Sequence, residues 1–155
     1  VLQVLRDGVT KVSSNTITLK VNSPAPEFFE QGIIEYPSWQ VPAEIAPGQT
    51  LVAWLTGPGK ISDHEPEGSI PPDPPWLTSF PTVVKYRGIG GARIARAGFL
   101  YAGRAPGLVG VDQVNFAVPY LPLGSGQPVS VHICTGSDGA DRCGEKGIFF
   151  LWRAP

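Results

Sequence analysis

The chain has no methionine, only two cysteines and two histidines, and no surplus of either charge. Each shortage excludes something. With 12 basic residues against 13 acidic ones the net charge is -1, and the strongly basic face that binds nucleic acid is missing, so no nucleic-acid partner is expected. The longest apolar run, Ile148 to Trp152, falls far short of the roughly 20 residues that span a bilayer as a helix, so no membrane span is expected. Without methionine, Val1 is not read as a translational start. The chain is expected to be a mature form or a fragment whose signal peptide is already gone. No stretch of about 11 residues repeats apolar side chains at helical spacing, which leaves little room for amphipathic helices.

What is present points to β structure. At 155 residues the chain is sized for one domain, and a chain near this length hides roughly 68–70% of its unfolded surface. Gly (19) and Pro (17) reach about twice their usual combined share of ~12%. Low-complexity disorder is opposed by 4 Trp, 7 Phe and 4 Tyr, because disordered chains are poor in aromatics. The remaining reading is a folded chain with many turns. Cys134 and Cys143 flank a Gly- and Asp-rich interval that should close as a hairpin and join the two sulfurs. Their spacing fits neither a C-x-x-C redox pair nor a zinc pattern, and a structural disulfide implies a compartment outside a reducing cytosol.

Hydrophobic periodicity is almost entirely two-residue. Val1 to Leu5 and Thr16 to Val21 read as a half-buried strand pair, with Ile17, Leu19 and Val21 on one face. Glu27 to Pro47 has apolar residues without a clean period and is expected to hold one or two short strands. Thr50 to Thr56 reads as a buried strand between Gly/Pro turns. Ser62 to Pro81 is a long polar loop containing a Pro-rich segment. Strands resume at Thr82 to Tyr86, Arg93 to Tyr101, Gly110 to Val118, Pro128 to Cys134 and Gly147 to Trp152. Short strands at regular spacing with turn residues between them favour a sandwich.

Three segments carry a resemblance to a known family. Residues 101–119, YAGRAPGLVGVDQVNFAVP, resemble the aGlaPGlvGlyQvNvqvP signature of the Solibacter-type C-terminal domain. Residues 47–59, PGQTLVAWLTGPG, are similar to its pGevltlyaTGlG strand, and residues 25–29, APEFF, to its aPgiF motif. Order and spacing agree over residues 24–152. The resemblance implies an all-β, immunoglobulin-like β-sandwich, secreted and appended to other domains, in a family with no established enzyme activity. The cysteine hairpin and the Pro-rich insert depart from the family pattern. Physically, Pro106, Gly107 and Gly110 make a tight turn, after which Val114, Phe116 and Val118 face the core. Gln113 and Asn115 then lie on the other face, where their amides can bond neighbouring backbone.

The domain plan is therefore an N-terminal hairpin extension over residues 1–23 and an immunoglobulin-like sandwich over residues 24–155. In the family such a hairpin closes an upstream half, which here is missing. An isolated two-stranded hairpin is marginal in water, and its open edges invite pairing. Val1, Leu2, Val4, Leu5, Ile17, Leu19 and Val21 are thus candidates for adding strands to a second copy, giving a homo-oligomer or filament. The alternatives are that they fold back on their own sandwich or are the remnant of a larger unit.

The sequence offers little chemistry. A nucleophilic triad needs Ser or Cys beside His with a carboxylate behind it. His132 alternates with Val131 and Ile133, sharing a face with Ser130 and Cys134, and reads as a surface strand residue. No G-x-S-x-G elbow occurs, and Gly88-Ile89-Gly90-Gly91 lacks the spacing of a nucleotide loop. Asp63, His64, Glu65 and Glu67 form the only cluster of potential metal ligands and read as a solvated loop. No catalytic residue, cofactor or metal is expected. The rival to a structural or adhesive module is a carbohydrate-binding one, with Trp39 and Trp76 in Pro-flanked loops as stacking platforms. Trp54 and Trp152, in apolar strands, are expected in the core or at a subunit contact.

Overall fold

The computed structural model describes residues 5–6, 10–11, 26–59, 70–71, 77–78, 82–136 and 141–155. In chain order its strands begin with β1 (Leu5–Arg6), β2 (Thr10–Lys11), β3 (Glu27–Tyr36), β4 (Glu44–Ile45), β5 (Thr50–Thr56) and β6 (Thr82–Arg87). They continue with β7 (Arg93–Ala97), β8 (Tyr101–Arg104), β9 (Asp112–Ala117), β10 (Pro128–Thr135), β11 (Arg142–Cys143) and β12 (Ile148–Trp152). A single 3-10 turn, Ile89–Gly91, joins β6 to β7.

Two sheets make the sandwich. The first runs β3-β5-β9-β8, and the second runs β4-β12-β10-β6-β7 with β11 beside β10. Every pairing is antiparallel except β4 with β12. Lettered as in immunoglobulin domains, with β3 as strand A, the first sheet reads A-B-E-D and the second G-F-C-C′. The short β4 continues strand A across to the edge of G. This is an all-β sandwich, as the spacing of the strands indicates, and its strand order is immunoglobulin-like.

The core follows from alternation. Leu51, Ala53 and Leu55 on β5, and Val114 and Phe116 on β9, point inward from the first sheet. Val84 and Tyr86 on β6, Val129, Val131 and Ile133 on β10, and Phe150 and Trp152 on β12 meet them from the second. A fully buried side chain of this kind contributes roughly 1.5–3 kcal/mol. Val118 is buried with Val114 and Phe116 as the sequence indicates. The preceding turn needs its glycines, since Gly107 and Gly110 adopt φ of 73° and 72°, which side chains disfavour.

Two local expectations are corrected. Arg93 to Tyr101 is not one strand: the chain leaves β7 at Ala97 and enters β8 at Tyr101, in the opposite sheet. Glu27 to Pro47 holds a 10-residue strand as well as the short β4. Leu5–Arg6 pairs with Thr10–Lys11, and the expected partner strand, Thr16 to Val21, lies outside the described residues. Val1, Leu2, Val4, Ile17, Leu19 and Val21 lie outside the described residues.

Candidate functional site

The outward face of the first sheet is laid out by its register. Tyr36, Thr50 and Ala117 form one row. Ile34, Val52, Asn115 and Tyr101 form the next, and Trp54, Gln113 and Gly103 the third. None of these side chains is charged at neutral pH. Beside the third row β3 slips register between Phe28 and Ile33, so residues 29–32 bulge outward. The bulge, Val41, Trp54, Leu108 and Val111 enclose a groove of about 460 Å³. Trp54 is therefore half-buried in the wall of this groove rather than in the core, while Trp152 is fully buried. Gln113 and Asn115 occupy the face expected of them. Their amides bond each other, Gln113 Nε2 donating to Asn115 Oδ1 at 2.8 Å, instead of the neighbouring backbone.

At one end of this face the chain turns back after Tyr36. Glu35 and Gln40 pair across the turn, the Glu35 amide donating to the Gln40 carbonyl at 2.9 Å. Trp39, one of the sequence candidates for glycan stacking, meets Tyr36 edge to face with ring centroids 5.6 Å apart. Both rings remain open to solvent, at 54% and 55% exposure for Tyr36 and Trp39. The second candidate, Trp76, lies outside the described residues.

The outward face of the second sheet is charged. Ser130, His132 and Cys134 share it, as alternation requires, and Lys85 and Arg87 stand opposite His132 and Ser130 on β6. Ser130 Oγ lies 3.1 Å from His132 Nε2. The pair lines a cavity of about 670 Å³ with Arg87, Lys146, Pro128 and Phe149. Gly147 passes so close over the imidazole that an added Cβ would collide with it. His132 Nδ1 is buried without a partner among the described residues, so no carboxylate orients the ring as a triad demands. Asp63, His64, Glu65 and Glu67 lie outside the described residues. Among those described, no three potential metal ligands converge.

Burial first, then the cations Arg87 and Lys85, holds the His132 imidazole below its ordinary value of 6.5. An unfolded chain takes up that proton at higher pH than the native one, so stability falls as pH drops below about 6.5 and is retained above it. Urea unfolding at about pH 7.5 and about pH 5.5 should therefore differ, and His132→Gln should remove most of the difference. An unchanged pH dependence in the variant would assign it to other groups.

The end of β10 carries the cysteine hairpin. Cys134 and Cys143 are direct cross-strand partners joined by a disulfide, their Cα atoms 4.0 Å apart. Just before Cys143, Asp141 reaches back to Lys85 Nζ at 2.9 Å and Arg96 at 3.8 Å. The hydrogen bond from Lys85 is the main cause that holds its carboxyl below the usual value. On the far side of the core, Arg104 pairs with buried Asp112 at 2.7 Å, fixing β8 to β9. No helix among the described residues is long and apolar enough to cross a membrane. No family model matches this chain, and neither the curated proteins nor the solved structures provide a match.

Proposed function

We propose that this chain is a non-catalytic structural and adhesive module of a secreted or cell-surface bacterial protein, acting through surface contact and association with further copies. One observation carries the reading. Large apolar side chains stand exposed on both outer faces: Phe29, Val41 and Leu108 along the first sheet, and Phe149 and Leu151 on the second. Contiguous exposed apolar surface marks interaction sites. Export is supported by the disulfide, which persists in oxidising compartments.

Strand addition is the favoured route to a homo-oligomer or filament. In the second sheet β7 has no further strand beyond it among the described residues, so its edge can receive a donor. Arg93 and Arg96 sit on that edge, where charge discourages indiscriminate pairing. Residues 1–21 of a second copy are the proposed donor. Light scattering should report a mass that grows with concentration, negative-stain images should show filaments, and deletion of residues 1–21 should leave monomers. A chain that stays monomeric at high concentration with or without those residues ends the assembly reading.

Carbohydrate binding is the second reading, and the exposed Tyr36–Trp39 pair is the observation that favours it. Aromatic rings with an apolar face and free access are suited to stacking on a sugar ring.

A further inference from the structure

We infer that Trp54, Gln113 and Asn115 form a platform for a neutral oligosaccharide on the outward face of the first sheet, a site separate from the exposed Trp39. The inference rests on the carbohydrate-binding reading and gives it a location. Its first support is the register. Gln113 is the direct cross-strand neighbour of Trp54, with Gly103 on its other side, and both Trp54 and Gln113 are half-buried rather than buried. A half-buried indole with an amide beside it presents an apolar surface and a polar rim within one strand spacing of about 4.8 Å. That matches the C–H face and the hydroxyl edge of a pyranose.

The second support is the hydrogen-bond count. The bond from Gln113 Nε2 to Asn115 Oδ1 leaves Gln113 Oε1 as an acceptor and Asn115 Nδ2 as a donor. Neither has a partner among the described residues. Turning both amides over reverses the bond and leaves the same complement, one donor beside one acceptor. Adjacent sugar hydroxyls, each both donor and acceptor, satisfy such a pair. Asn is a poor strand former, so its place in the middle of β9 is not explained by strand propensity.

The third support is charge. The rows from Tyr36 to Trp54 contain no ionisable group at neutral pH, whereas the opposite outer face carries Lys85, Arg87 and His132. Neither these rows nor the groove lining supplies a cation, so the face has nothing for a phosphate or carboxylate, and the one carboxylate along the groove, Glu30, can accept from a sugar hydroxyl. The bulge shapes the rest. Gly32 passes so near the Trp54 carbonyl that an added Cβ would lie 2.6 Å from it, so the bulged segment stays close against the strand and walls the groove beside the indole. Tyr36 lies two rows from Trp54, about 13 Å along the strand, a span that calls for an oligosaccharide rather than a single sugar.

The test is calorimetric titration of the full chain with cellohexaose, xylohexaose and mannohexaose, together with NMR of the side-chain amides. One of these should bind with an affinity that is unchanged when salt is raised to about 1 M. Trp54→Ala should weaken it about tenfold or more, and Gln113→Ala roughly 2- to 10-fold. The Gln113 and Asn115 amide signals of the native chain should move on titration, a readout that does not depend on any variant folding. Stationary amide signals, or binding that survives Trp54→Ala and Gln113→Ala but is lost in Trp39→Ala, overturn this site and leave the carbohydrate reading standing. No binding of any of the three overturns both.

Discussion

Replacing Trp152 by Ala is expected to lower the unfolding free energy by about 3–5 kcal/mol and the melting temperature by roughly 6–20 °C. Trp152 is among the largest fully buried side chains, and it sits where the core has least freedom to close around a void. Its amide donates to the Gln127 carbonyl at 2.8 Å, and its own carbonyl accepts from Gly126 at 2.7 Å. On its other edge β12 is held by Ile45 of β4. With the backbone fixed on both sides, the space left by the indole cannot collapse, which places the cost in the upper part of the range. One feature works against the tryptophan. Its Nε1 is buried with no partner among the described residues, and an unsatisfied buried donor costs about 1–3 kcal/mol. Trp152→Phe should therefore lose much less than Trp152→Ala. By the same argument Tyr86→Phe, which removes a buried hydroxyl with no partner among the described residues, should be close to neutral. Urea unfolding of the three variants checks the set. An Ala variant that loses under about 1 kcal/mol would mean the two sheets are not closed over this residue.

The sequence reads well where strands alternate cleanly and poorly where alternation is interrupted for a reason. β5 and β9 have regular inward and outward positions, so Val114, Phe116 and the outward amides of Gln113 and Asn115 could be assigned from spacing alone. Glu27 to Pro47 shows no period because the bulge at residues 29–32 shifts the phase within β3: Phe28 and Ile33 both face the core five positions apart. The break at Gly98 was hidden for a different reason. Half-buried Ala95 and Ala97 before it and buried Ala102 after it belong to opposite sheets, and local composition does not encode which sheet a strand joins.

The sites were less legible than the fold. Alternation tells which face a residue takes but not which strand lies next to it. Trp54 and Gln113 become neighbours only through the β5–β9 register, and Arg87 comes beside Ser130 only through β6–β10. Trp54 looked like a core residue because every neighbour in Thr50–Thr56 is apolar or small. Val52 and Ile34 show why that inference fails: both are buried on the outer face yet stand outside the central core cluster, Ile34 beside the bulge, Val41 and Trp54. A Pro-flanked aromatic was the better clue for Trp39, since turns expose what they carry.

Reducing the Cys134–Cys143 bond should cost about 2.6 kcal/mol of stability, the entropy released by a nine-residue closure. The loss should be local before it is global. β11 is a two-residue strand whose only strand partner among the described residues is β10, and the bond and the Asp141 ion pair help to keep it there. Lys85 is only 12% and Asp141 only 6% exposed at the side chain, so opening the hairpin would leave Lys85 without its carboxylate at the second sheet's surface. Hydrogen exchange should therefore rise first at Arg142 and Cys143 and then along the adjoining end of β10, while β5 and β9 keep their protection. Urea unfolding with and without dithiothreitol measures the cost, and a Cys134→Ser, Cys143→Ser variant should match the reduced protein and ignore the reductant. If the native and reduced curves coincide after thiol titration shows that the bond has opened, the hairpin is held by other contacts. The cysteine pair would then give no support for a chain built to work in an oxidising compartment.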